Sequence, residues 1–159
     1  MRSPSSLAFI FLLIVAANFK AFAQFPDSCK VKGIAKIRAE GPFGLSYNKD
    51  FNPEYLLRFN INSSTKQVII EITHKGHTSS LNGILANNSL ITLTKGQSCP
   101  QKFEGDDFSA DLDGTLESGL VSRQNNKTRI VLQIIAKGTV TVGPLPIPAN
   151  GTINTDASE

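Results

Sequence analysis

The 159-residue sequence has no tryptophan, and only two tyrosines, two histidines and two cysteines. Without tryptophan and with so little tyrosine it lacks the usual stacking platform for sugars or bases. The two histidines, His74 and His77, flank the turn dipeptide Lys75-Gly76. A metal would need a third ligand, and none is evident beside them. No Gly-x-Ser-x-Gly, phosphate-binding loop, dinucleotide fingerprint or His-Glu-x-x-His is present. No segment keeps a helical apolar period over eleven residues, and only one long apolar run occurs.

That run, Leu7 to Ala17, follows a short segment with one arginine and no acid, and precedes Ala21-Phe22-Ala23. The three zones predict a secretory signal peptide over 1–23, removed to expose Gln24, and hence a secreted, extracellular product. An uncleaved anchor is the alternative, but a bilayer span needs about 20 apolar residues. Without Arg2 and Lys20, 14 basic side chains face 13 acidic ones, a net of +1. A nearly neutral chain has no bulk electrostatic reason to bind nucleic acid or an anionic membrane. No membrane span is expected after signal cleavage.

In an oxidising compartment Cys29 and Cys99 are expected to pair, closing a 70-residue loop and contributing roughly 4 kcal/mol. Asn62, Asn87, Asn126 and Asn150 each start an Asn-x-Ser/Thr sequon, so the secreted chain is expected to be a glycoprotein.

The dominant period is two. Tyr55, Leu57, Phe59 and Ile61 alternate with polar or solvent-facing neighbours, and Val68, Ile70, Ile72 and His74 do the same after the turn 62–66. These runs predict a β-hairpin. Further strands are expected at 31–38, 89–95 and 128–142, with weaker signals at 81–86 and 114–121. Gly138 suggests a bulge within the longest run. Gly, Pro and Asn pairs separate the segments. The expected fold is all-β: an antiparallel β-sandwich, alternatively a β-barrel, forming one disulfide-linked domain over 24–149. Residues 150–159 read as a flexible polar tail.

Charge is uneven: six acids and no base lie in 104–122, between basic flanks. Ser109 to Leu120 partly matches an EF-hand loop through Asp111, Asp113 and Gly114, but lacks the leading Asp and the closing Glu. The candidate metal chemistry is therefore a weak Ca²⁺ loop built from Asp106, Asp107, Asp111 and Asp113, set against an ordinary solvated turn. No other cofactor is implied. Phe43, Phe51, Phe103 and Phe108 lie in loop-like stretches, where they either plug the end of the fold or line the mouth of an apolar cavity.

These features favour a non-catalytic extracellular binding or recognition module, with an extracellular protein as partner. The alternatives are a carrier of a small apolar ligand or lipid, and a hydrolase using the 104–117 acidic cluster.

Overall fold

The computed structural model describes residues 24–159 except 45, 106 and 107. The proposed leader, together with Asp106 and Asp107, lies outside the described residues. The described chain is nearly all antiparallel β-structure. Its strands are β1 (Ser28–Glu40), β2 (Ser46–Phe51), β3 (Glu54–Ile61), β4 (Gln67–His74), β5 (His77–Asn87), β6 (Leu90–Leu93), β7 (Gln101–Glu104), β8 (Phe108–Gln124), β9 (Lys127–Val142) and β10 (Leu145–Ser158). A single 3-10 turn, Pro42–Gly44, joins β1 to β2.

The expected hairpin forms in the register its pattern demands, with Leu57 opposite Ile72 and Phe59 opposite Ile70. Side chains alternate across a strand, so a run such as 68–72 turns Val68, Ile70 and Ile72 inward and exposes Gln67, Ile69 and Glu71. Two hairpins close in two residues by left-handed backbone: Lys75-Gly76 (φ 46 and 80) and Asn125-Asn126 (φ 50 and 60). Gly and Asn are the residues that accept this conformation at least cost.

The pairing path runs β10-β9-β8-β6-β5-β4-β3-β1, and β10 also pairs β1. Every strand along this path turns one face to a common core holding Val31, Ile37, Leu57, Ile70, Leu81, Ile91, Leu116 and Ile134. The two ends of the sheet differ. At the end holding the β3–β4, β5–β6 and β8–β9 turns, hydrogen bonding is continuous. Towards the other end β2 replaces β3 as the neighbour of β1, and β7 replaces β6 as the neighbour of β8. Among the described residues β2 and β7 do not pair with each other, so the sheet is split there.

Three expectations need correction. Residues 150–158 are no loose tail, because β10 pairs β9 throughout and β1 from Asn150 onward. Ile153, Thr155 and Ala157 face the core while Asn154 and Asp156 face water. Pro146 and Pro148 occupy the part of β10 that β1 does not reach, where a missing N–H costs no ladder bond. Gly138 is no bulge: the β9 register passes through it unbroken, and a Cβ there would collide with the Asp111 carbonyl. The register shifts instead on β8, between Leu116 and Ser118.

The third correction concerns the cysteines. Cys29 and Cys99 are buried and unbridged. They occupy different neighbourhoods of the core. Cys29 lies beside Thr128, whereas the Cys99 thiol accepts a hydrogen bond from Gln101 Nε2 at 3.3 Å. Two cysteines in a sequence say nothing about which strand faces will meet. Burial pushes both thiols above their ordinary pKa, against smaller opposing hydrogen bonds, so neither is an activated nucleophile. Reductant is accordingly expected to leave the melting temperature unchanged. A bridge worth roughly 4 kcal/mol would instead make it fall by more than about 8 °C.

Candidate functional site

The split end carries left-handed backbone at two successive residues, Phe43 and Gly44. Pro42 sets a helical φ and opens the short turn after β1. Phe43 follows at φ 62, ψ 25, and Gly44 at φ 74. Left-handed backbone costs a residue bearing a Cβ roughly 1–2 kcal/mol. Phe43 gains no packing in return, for its side chain is 100% exposed. A strained and fully exposed aromatic residue has the character of a contact residue. Beside it, Glu40, Gly41, Pro42, Pro148 and Asn150 line a shallow cleft of about 430 Å³.

The other three phenylalanines, expected in loops, lie instead on strands β2, β7 and β8 and are packed. The Phe51 ring lies 5.0 Å from Phe103 and 5.5 Å from Phe108. His74 continues the stack, 6.4 Å from Phe103 and 5.3 Å from Tyr55. These rings fill the gap between β2 and β7 from inside and plug this end. His74 is half-buried, and its Nδ1–H donates to the Glu54 carbonyl at 3.0 Å. His77 is exposed across the turn. Lys75 Nζ donates to the Glu104 carbonyl at 3.3 Å, tying the β4–β5 turn to β7. The outward-facing backbone edges of β2 and β7 remain without partner strands among the described residues.

The acidic segment is placed differently from its sequence reading. Phe108–Gln124 is one long strand, so Asp111 and Asp113 point outward from a regular ladder instead of converging in a loop. Asp111 pairs with Lys102 Nζ at 3.0 Å, and Asp113 sits opposite Lys137. Glu117 lies at the register shift and pairs with Lys95. Among the described residues no group of three His, Cys, Asp or Glu side chains converges as a metal site.

One gap lies among core residues between β1, β8, β9 and β10. The gap bounded by Ile37, Leu112, Ala136 and Ile153 is too narrow for a water molecule. Tyr55 is pushed up to about 12 by burial, so its hydroxyl stays protonated. At the continuous end, a cleft of about 630 Å³ is partly filled by Phe25, whose ring lies 5.2 Å from Phe59.

The four sequons divide three and one. Asn62, Asn87 and Asn126 stand exposed on the turns of the continuous end, whereas Asn150 is exposed on β10 near Pro42. Asn62 Oδ1 accepts from the Ser64 and Thr65 amides at 3.0 and 3.1 Å. Asn87 Oδ1 likewise accepts from the Ser89 amide at 2.9 Å.

The sequence reading missed a second polar cluster. Glu159 Oε2 accepts from the Thr128 amide at 2.6 Å and from Arg123 at 3.1 Å. The Arg123 side chain is only 12% exposed. Its residues are 36 positions apart and follow no motif, so no local signal marks them.

No family model and no curated protein matches the chain. Among solved structures, the AttH candidate from Nitrosomonas europaea has a TM-score of 0.36 at 11% identity. The match covers 89% of this chain and 54% of that one, so the chain spans about half its length. The ywiB protein from Bacillus subtilis has a TM-score of 0.33 at 15% identity, covering 89% of this chain and 98% of that one. Likenesses this distant identify no family and carry no argument about function.

Proposed function

We propose that the chain is a secreted, N-glycosylated, non-catalytic binding module whose contact end is the split end bearing Phe43. The expected β-sandwich and its barrel alternative both turn one face of each strand to a single core; the pairing of β10 with both β9 and β1 supports the barrel reading, whereas the split between β2 and β7 opposes full closure. The observation carrying the functional reading is the strained, wholly exposed Phe43. The partner it suits is an extracellular protein with an apolar pocket, since buried aromatic anchors dominate binding energy at such interfaces. Three of the four sequons lie at the opposite end, which keeps most of the expected glycan away from this surface. The narrow gap beside Ile37 and Ile153 and the ion-paired Asp111 support binding over lipid carriage or hydrolysis.

Phe43→Asn removes the ring but keeps a residue that tolerates the left-handed backbone. The variant is expected to melt at or above the wild-type temperature. Its saturable binding to intact target cells, titrated with labelled protein, is expected to weaken at least tenfold, as for an interface anchor worth about 1.4 kcal/mol or more. Unchanged binding by the folded variant would sink the assignment of this end.

A further inference from the structure

Apart from Phe43, the most exposed large apolar side chain among the described residues is Ile84, at 58%. Ile69, 43% exposed, is its diagonal neighbour on the outer face of β4 and β5, because Ile69 faces Asn82 and Ile84 faces Gln67. The two isoleucines floor a groove of about 620 Å³ walled by Asn60, Thr65, Gln67, Asn82 and Thr94. None of the lining residues is charged. An aliphatic floor ringed by neutral amides and hydroxyls matches a saccharide, which offers C–H surface on one face and hydroxyl groups at its rim.

Asn62 itself lines this groove. Both turn hydrogen bonds of its side chain fall on Oδ1. They fix the amide at the edge of the groove and leave Nδ2, the atom an N-glycan occupies, outside the turn. Attachment would join Nδ2 to the anomeric carbon of a lipid-diphosphate-linked oligosaccharide, with loss of one amide proton and release of the lipid diphosphate.

We propose that the N-glycan of Asn62 folds back into this groove and covers Ile69 and Ile84 with its first sugars. The proposal rests on the export reading and explains why two isoleucines face outward on strands whose inner faces already carry Val68, Ile70, Ile72, Leu81 and Leu85. An exposed apolar patch ordinarily marks a surface that something covers, and a covalently attached saccharide reaches this one without a separate binding step. A second copy of the chain is the competing occupant.

The test uses the full chain secreted from eukaryotic cells under its own leader. Ser64→Ala destroys the acceptor sequon but spares both turn bonds, which use backbone amides. Glycopeptide mass spectrometry is expected to find Asn62 occupied. Relative to wild type, Ser64→Ala should bind more anilinonaphthalene sulfonate and melt about 3 °C lower, a shift typical of a modest surface contact. The same change in an Ile69→Gln/Ile84→Gln background should produce neither effect, because the surface it uncovers is gone. Ser89→Ala, which removes the Asn87 sequon, should leave dye binding unchanged. The proposal fails if Asn62 is bare while Asn87 or Asn126 is occupied, or if Ser64→Ala behaves as wild type. It fails equally if light scattering shows wild-type dimers that Ile84→Gln dissociates. A chain that is retained in the cell at precursor mass, with all sequons bare, overturns the export reading as well.

Discussion

Deleting residues 150–159 is expected to abolish cooperative folding. The segment forms nine register pairs with β1, from Lys32–Ser158 to Glu40–Asn150, while its other edge pairs β9. Its removal opens the sheet along both seams and exposes two long edges. It also removes Ile153, which is fully buried, together with buried Thr155 and Ala157. Losing a buried isoleucine alone costs about 2–5 kcal/mol. Total stability is typically about 5–15 kcal/mol, so the remaining chain has little left to hold it. Gly151→Val tests the same seam with a single residue. A Cβ at Gly151 would collide with the Arg38 carbonyl and the Ala39 backbone, and one at Gly33 with the Asp156 carbonyl and Ala157. Overpacking against backbone is expected to cost about 3 kcal/mol. Thermal melts by far-ultraviolet circular dichroism report both outcomes. A cooperative melt of the deletion chain within a few degrees of wild type would show that the segment is dispensable.

The second large effect is expected at Glu159. Its carboxylate satisfies the Thr128 amide and balances Arg123, which also donates to Thr128 Oγ1 at 2.8 Å. Arg123 Nε is buried and has no partner among the described residues. Replacing Glu159 with Ala leaves a largely buried guanidinium without its counter-charge and a backbone amide without an acceptor. A loss of about 2–3 kcal/mol is expected. The effect should depend on pH. Burial raises the Glu159 pKa, but hydrogen bonds from Thr128 and the charge of Arg123 outweigh it, so the native value is lowered. A depressed carboxylate stabilises the fold above its unfolded value of about 4.5, and that stabilisation is lost as pH falls through the native value. Wild type and Glu159→Ala should therefore differ most near neutrality and converge in acid. Parallel curves down to acid pH would assign the effect to packing instead of charge.

The sequence disclosed the fold wherever apolar residues alternate strongly. The 55–61 and 68–74 strands, their turn and the inner faces of β1 and β9 follow directly from period two. It disclosed far less where the inner face is made of small or polar residues. In β10 the inward set is Gly151, Ile153, Thr155 and Ala157, which reads as only weakly apolar by composition although the alternation is intact. Three acids, Asp111, Asp113 and Glu117, hid the β8 pattern in the same way: Ala110, Leu112 and Leu116 are buried while Asp111 and Asp113 face water. Pairing between distant strands decides both cases, and no local window contains it. The candidate site was half legible. Phe43, Phe51, Phe103 and Phe108 stand out in sequence, but only the backbone separates the exposed Phe43 from the three that plug the end. The cysteine expectation failed because compartment and count constrain pairing less than strand facing does.

The most direct test of the proposed secreted binder with a filled core is a mass measurement on the chain secreted from eukaryotic cells, taken under native and then denaturing conditions. The account predicts residues 24–159 plus N-glycan, with the same mass before and after denaturation. It also predicts two thiols that alkylate once the chain is unfolded. A bound apolar species of a few hundred daltons, released on denaturation, would contradict the account and restore the carrier reading.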